Sequence, residues 1–168
     1  RFSNFTVHPV CAPSRAALMT GRHFLRTGVS HVHGGKDFLH LDEVTIAQLV
    51  RRAGYATGMW GKWHLGTAPG YCPWERGFDE AYMADLYRHQ ATSGSFNGRP
   101  VTHDGWADAV VVDYAIDFIA RHADRPWFAY VASMTPHAPH HAPPEYVARF
   151  TTQGLSEPLA KIHAMISL

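Results

Sequence analysis

The run Trp127-Phe128-Ala129-Tyr130-Val131-Ala132-Ser133 is apolar almost without a break. Its length suits a strand, and a strand with no polar alternation is expected to be covered on both faces. Just upstream lies the clearest amphipathic segment, Ala107–His122. There Val110, Val111, Tyr114, Phe118 and Ile119 form an inward stripe, and Asp108, Asp113 and Asp117 fall mostly outside it. The same alternation appears earlier in the chain. Thr45 and Gln48 predict a capping box, with Ile46, Leu49, Val50 and Ala53 as the buried helix face and Gly54 as its C′ residue. Tyr55–Trp60 then reads as a short strand. Phe2–Val10 reads as extended, and Pro13 as the first position of a helix ending near Gly21. Pro144 can start another helix, and Leu159, Ile162, Met165 and Ile166 recur at helical spacing beyond it. Strands alternating with helices predict an α/β fold with a largely parallel sheet. In such sheets ligands gather at the carboxyl ends of strands. Two loops leave strands in that direction, Gly61–His64 and Pro136–His140, and they are expected to converge on one edge.

Composition narrows the function. Fifteen Lys and Arg against 14 Asp and Glu give a net charge of +1, which excludes a strongly basic nucleic-acid binder as the default. An apolar fraction of 46% argues against a disordered chain. No apolar run reaches the roughly 18 residues of a membrane span. The 13 histidines nearly match the formal cations in number, which raises the question of what needs imidazoles. The chain starts at Arg1, not Met, and its last helical pattern has no glycine or proline stop, so residues 1–168 are expected to be a piece of a larger domain. Two cysteines, Cys11 and Cys72, make no disulfide framework. Cys72 has no motif around it and reads as packing.

The chemistry concentrates in Cys11-Ala12-Pro13-Ser14-Arg15-Ala16-Ala17-Leu18-Met19-Thr20-Gly21-Arg22. Pro13 at the first helical position places Cys11 just ahead of a helix N-terminus, where free N–H groups and the positive dipole end would face an anion. Arg15 adds a permanent cation with bidentate geometry. A buried structural cysteine before an ordinary helix is the competing reading. This segment resembles the first signature of the formylglycine-dependent sulfatases, C-x-P-S-R-x-x-x-[LM]-T-G-R, at every specified position. Gly54, Tyr55, Thr57, Gly61, Lys62 and His64 match the second, G-Y-x-[ST]-x-x-x-G-K-x-H. The resemblance continues through Arg76-Gly77-Phe78-Asp79, the Ala115–Ile119 helix, Pro136-His137 and Pro144-Glu145-Tyr146.

The resemblance implies an alkaline-phosphatase-like fold, three layers around a mostly parallel sheet, with residues 1–168 forming the N-terminal to central part of the catalytic domain. It implies a sulfuric ester hydrolase in which a formylglycine-generating enzyme has oxidised Cys11. The hydrated aldehyde would attack sulfur, and its second hydroxyl would then lose a proton to expel sulfate from the sulfated enzyme. Arg15 would hold the formylglycine hydroxyls and offset charge. Lys62 would contact both hydrate and sulfate, and His64 would hold and deprotonate the second hydroxyl. His137 would bind sulfate near the leaving oxygen and protonate the departing alcohol. Family members bind one divalent cation, usually calcium, through oxygen ligands. Cys11, as formylglycine, would be one ligand, and the Asp and Asn or His ligands are expected outside this chain.

Other readings stay open. A relative on the same scaffold would cleave phosphonate or phosphate esters, and an inactive sulfatase-like fragment would carry the motifs without turnover. His137, His140 and His141 could instead form a transition-metal cluster, although the spacing is irregular and lacks a carboxylate or thiolate partner. His31 and His33 could line a substrate cleft or sit in a solvated loop. Tyr87–Pro100, with its Gly, Ser and Asn, is the candidate loop for leaving-group contacts. The substrate would be a small sulfate ester or a sulfated carbohydrate. Relatives are often periplasmic, secreted or lysosomal, and a targeting signal would lie upstream of Arg1.

Overall fold

The computed structural model describes residues 3–168. Phe2, at the start of the segment read as extended, lies outside the described residues. In chain order the elements are α1 (Cys11–Thr20), α2 (Ile46–Arg52), β1 (Ala56–Gly61), β2 (Glu80–Ala84), β3 (Ser93–Phe96), β4 (Arg99–Thr102), α3 (Ala107–Arg121), β5 (Trp127–Ala132), α4 (Pro144–Thr151) and α5 (Glu157–Ile166). Short 3-10 turns occupy Phe24–Arg26 and Pro73–Glu75. The strands order as β4-β3-β2-β1-β5. Backbone bonds from Ala56 N to Pro126 O and from Lys62 N to Ala132 O advance together along both strands, so β1 and β5 run parallel. β2, β3 and β4 form an antiparallel limb, with Tyr82 opposite Phe96 and Ser95 opposite Pro100. The sheet is therefore a mixed α/β sheet.

The chain divides into two compact units. One comprises the residues up to Gly58 with Trp63–Glu80 and Asp124–Phe128; the other comprises Met59–Lys62, Ala81–Ala123 and Ala129–Leu168. In the first, Trp63, Phe78 and Phe128 form an aromatic core, with ring centroids 6.0 and 6.2 Å apart. The Trp63 indole N–H donates to the Tyr71 carbonyl at 2.8 Å, so this ring is buried without an unmet donor. In the second, Trp60 packs on Phe118 of α3 at 5.0 Å, and Tyr82, Phe96, His103 and Tyr114 form a further ring cluster. Gly61 closes β1 at φ +107°, where a Cβ would stand 2.1 Å from the Ala132 carbonyl oxygen. Only glycine allows that approach.

Several expectations need correction. Thr45 and Gln48 do form the capping box, and Gly54 follows the helix at φ +88°. However, α2 buries Ala47, whereas Ile46 and Leu49 are exposed. Ala53, the last residue of the expected face, is exposed as well. β5 is not covered on both faces in this chain: Trp127 and Val131, which lie on one face of the strand, are exposed. Pro13 sits at the third helical position, so Cys11 is itself the first residue of α1 with Val10 as N-cap. Proline is tolerated there because N–H groups in the first turn have no intrahelical partner. In α5 the buried residues are Ala160, Ala164 and Met165, and Leu159 and Ile166 are exposed. The segment 87–100 is part loop and part sheet: residues 87–92 lie outside the named strands, and 93–96 and 99–100 belong to the paired strands β3 and β4. Among the described residues no helix is long and apolar enough to cross a membrane.

Candidate active site

Cys11 is half-buried and in no disulfide. Its Sγ lies 3.3 Å from Nδ1 of His64. The other ring nitrogen, Nε2, lies 3.0 Å from the Val32 carbonyl oxygen. A carbonyl can only accept, so in the neutral ring Nε2 carries the proton and the Nδ1 lone pair faces Cys11. Asp37 Oδ2 stands 3.8 Å from Nε2. The His64 side chain is 2% exposed and its backbone sits at φ +59°. A left-handed non-glycine residue costs on the order of 1–3 kcal/mol, and such strain clusters at functional sites. Arg15 lies four residues after Cys11 on α1, hence on the same helix face, and is half-buried. Of the two loop histidines, His33 has its ring 6.3 Å from that of His64, and His31 is exposed.

The rest of the motif residues carry structure. Ser14 Oγ donates to the His8 carbonyl and ties the approach segment to α1. Gly21 ends α1 in the left-handed region, its N–H donating to Ala17 O at 2.8 Å. Arg22 pairs with the buried Glu43 at 2.5 Å. Arg76 is 3% exposed and donates to the carbonyls of His40, Leu41 and Glu43; burial pulls its pKa down, and the Glu43 carboxylate opposes that. Thr57 and Asp79 brace each other: Thr57 N–H donates to the Asp79 carboxylate and Asp79 N–H to Thr57 Oγ1. A Cβ on Gly77 would come within 2.4 Å of the Gln48 backbone nitrogen.

Lys62 and His137 lie in the other unit. Lys62 follows β1 and is 3% exposed; its ammonium stands 5.3 Å from the centroid of the Tyr87 ring. The imidazole of His137 packs on that same ring at 4.6 Å and 37°. These two residues from two strand-end loops therefore meet on Tyr87, the convergence expected for the carboxyl ends of β1 and β5. His137 is exposed, and its Nδ1 lies 2.6 Å from the Ala138 carbonyl, so Nδ1 is a donor. Two residues that the sequence reading did not single out anchor this loop. Asp108, in the first turn of α3, accepts from Met134 N at 2.9 Å, Thr135 N at 3.3 Å and Ser133 Oγ at 2.6 Å. His89 donates through Nε2 to the His137 carbonyl at 2.8 Å. Its Nδ1 is buried without a partner, at a cost of about 1–3 kcal/mol, and burial pulls its pKa down. Asp108 was legible only as an acid off the apolar stripe, and His89 as one histidine among 13.

Among the described residues no group of three or more His, Cys, Asp or Glu could hold a metal ion. His140 and His141 join no such cluster; His141 packs on Trp106 at 5.0 Å. The described residues thus do not assemble a carboxylate cage for the divalent cation. Cys72 is a packing thiol, donating weakly to the Thr67 and Ala68 carbonyls, with its pKa raised by burial and then by Glu75.

The described residues thus combine a cysteine opening a helix, a histidine nitrogen against it and a mixed α/β sheet. The family described as Sulfatase matches residues 1–162. Arylsulfatase G of Canis lupus familiaris is 47% identical over 95 residues, 53% of this chain and 17% of that protein. N-acetylgalactosamine-6-sulfatase of Homo sapiens is 31% identical over 173 residues, 84% of this chain and 33% of that protein. The crystal structure of Ps i-CgsB in complex with k-i-k-neocarrahexaose superposes with a TM-score of 0.84 at 28% identity, over 95% of this chain and 42% of that one. This chain belongs to the sulfatase family, and it spans a third or less of the length of these two curated relatives.

Proposed function

We propose that this chain carries the nucleophile and part of the anion pocket of a sulfuric ester hydrolase, within the catalytic domain of a longer sulfatase. The observation that carries this reading is Cys11 Sγ at 3.3 Å from His64 Nδ1, with the opposite ring nitrogen committed to Val32. That geometry suits a base that removes a proton from an oxygen on residue 11, the role needed once Cys11 has been oxidised to formylglycine. The hydrated aldehyde supplies a nucleophilic oxygen with a second hydroxyl from which sulfate can later be released, an exit that a thiol lacks. Arg15, one turn into α1, offsets negative charge near that oxygen. Lys62, buried against Tyr87, presents a desolvated ammonium suited to a sulfate oxygen. His137 is exposed, and with Nδ1–H held on the Ala138 carbonyl it is the Nε2 proton of the imidazolium form that passes to the leaving alcohol, a contribution worth about a hundredfold to ten-thousandfold for a positioned acid. The relative named for N-acetylgalactosamine 6-sulfate and the neighbour holding a neocarrahexaose favour a sulfated carbohydrate as substrate. A small aryl sulfate is the convenient probe. The divalent cation of the family, calcium by resemblance, would take residue 11 as one ligand.

The test uses the full-length protein coexpressed with a formylglycine-generating enzyme. Mass spectrometry of the tryptic peptide Phe2–Arg15 is expected to show conversion of Cys11, and kcat/KM for an aryl sulfate is expected to exceed that for the matching aryl phosphonate. A preference for the phosphonate would reassign the chain to phosphonate or phosphate ester hydrolysis. An unmodified thiol with no turnover would overturn the enzyme reading in favour of a sulfatase-like chain without activity.

A further inference from the structure

We propose that Tyr87 and His89 are positioning residues that hold His137 and Lys62 in register for an anionic ester; this rests on the function proposed above. The two lie on one short segment and grip the loop after β5 at two points. The ring of Tyr87 packs on the His137 imidazole at 4.6 Å, tilted by 37°, and the His89 Nε2–H donates to the His137 carbonyl at 2.8 Å. One contact therefore fixes the ring plane and the other fixes the backbone that carries it. Tyr87 also presents its face to the Lys62 ammonium at 5.3 Å, so one ring sets the position of both side chains.

Two further observations show that this arrangement is held against local cost, and a third shows what holds it. Tyr87 adopts φ +67°, a left-handed conformation unfavourable for an aromatic residue. His89 is 4% exposed and leaves Nδ1 without a partner, so its single hydrogen bond to His137 is what the buried imidazole provides. The segment is clipped to the start of α3 by bonds from Ala107 N to His89 O at 2.8 Å and from Ala91 N to Gly105 O at 3.0 Å. The grip thus comes from a fixed scaffold, as a side chain that must donate a proton at a set place requires.

The test compares Tyr87→Phe, Tyr87→Asn, His89→Gln and His89→Leu in the full-length matured protein. Asparagine tolerates positive φ, so Tyr87→Asn removes the ring without adding backbone strain. Glutamine keeps a donor within reach of the His137 carbonyl, whereas leucine removes it. Turnover is read with a good leaving group, 4-nitrophenyl sulfate, and a poor one, phenyl sulfate. Tyr87→Asn and His89→Leu are expected to lower kcat about tenfold on phenyl sulfate and about twofold or less on the nitrophenyl ester, with Tyr87→Phe and His89→Gln near wild type. A second readout needs no turnover. In protein with 13C-labelled histidine, the ring-current shift of the His137 ring proton signals is expected to be retained in Tyr87→Phe and lost in Tyr87→Asn. A wild-type protein without sulfatase turnover would end the proposed function, and the NMR comparison would still decide on the Tyr87 contact. Unchanged His137 signals in Tyr87→Asn, or an equal loss of kcat on both esters, would overturn the positioning role.

Discussion

His64 and His137 are the two histidines with proposed proton roles, and the chain holds them in opposite ways. His64 is 2% exposed, and both of its ring nitrogens face identified groups: Cys11 on one side, Val32 and Asp37 on the other. His137 is exposed, on a proline-flanked loop, held by a ring face and by its own carbonyl. The difference follows from what each must meet. A base acting on residue 11 always meets the same atom, so a single buried geometry serves it. An acid serving a leaving group meets whatever alcohol the ester carries, which requires an accessible side chain. The buried histidine is accordingly built for one fixed partner, and the exposed one for a variable partner.

The strongest way to break this comparison is to remove the partner of the buried histidine. Cys11→Ala in the matured full-length protein is expected to abolish turnover of 4-nitrophenyl sulfate by at least about a thousandfold, because the nucleophile and its supporting groups act as a unit. Residual turnover within tenfold of wild type would remove Cys11 from the chemistry. His64→Asn comes next. Asparagine accepts the left-handed backbone at this position, so thermal stability is expected to stay within a few degrees of wild type. Turnover is expected to fall about a hundredfold to ten-thousandfold. A large drop in Tm with only a modest loss of kcat would instead make His64 a structural residue.

The exposed histidine is expected to give a smaller and more conditional effect. His137→Ala should cost about a hundredfold in kcat on phenyl sulfate and much less on 4-nitrophenyl sulfate, whose leaving oxygen needs little protonation. Steady-state kinetics over a series of substituted phenyl sulfates would show this as a steeper dependence on leaving-group pKa in the variant. Parallel lines for the two proteins would mean that His137 binds anion without donating a proton.

The legible part of this site was the part written in local spacing. Cys11 and Arg15 share one helix, and the Thr45–Gln48 capping box and the Gly61 strand end are short-range patterns that a sequence displays directly. The resemblance added His64 and His137, but not how they are held. Val32, Asp37, His89 and Asp108 act across sequence separations of 25 to 48 residues, and nothing in their own neighbourhoods marks them. The same limit explains the misread faces. Ile46 and Leu49 formed a plausible inward stripe, yet the residue that α2 buries is Ala47. The apolar run 127–133 gave a strand correctly, whereas its place at the end of the strand order is a property of the sheet and not of the run.

The smallest expected effect concerns how the exposed histidine is anchored. His89 is buried, and desolvation holds its pKa below the usual histidine value; the His137 bond and Asp108 oppose this, and charge on His137 or His141 adds to it. Between that lowered value and about pH 6.5, the unfolded chain binds more protons at this position than the folded chain does. The contribution of His89 to stability is therefore complete above about pH 6.5 and is lost as pH falls through the folded value. Comparing wild type with His89→Gln isolates this term, because every other histidine is shared by both proteins. Urea unfolding at a series of pH values from 8 to 5 is expected to show a constant stability difference down to neutral pH. Below that, wild type should lose stability faster than the glutamine variant. Parallel curves throughout would mean that His89 titrates alike in the folded and unfolded chains, and the loop bearing His137 would then be held without a buried neutral imidazole.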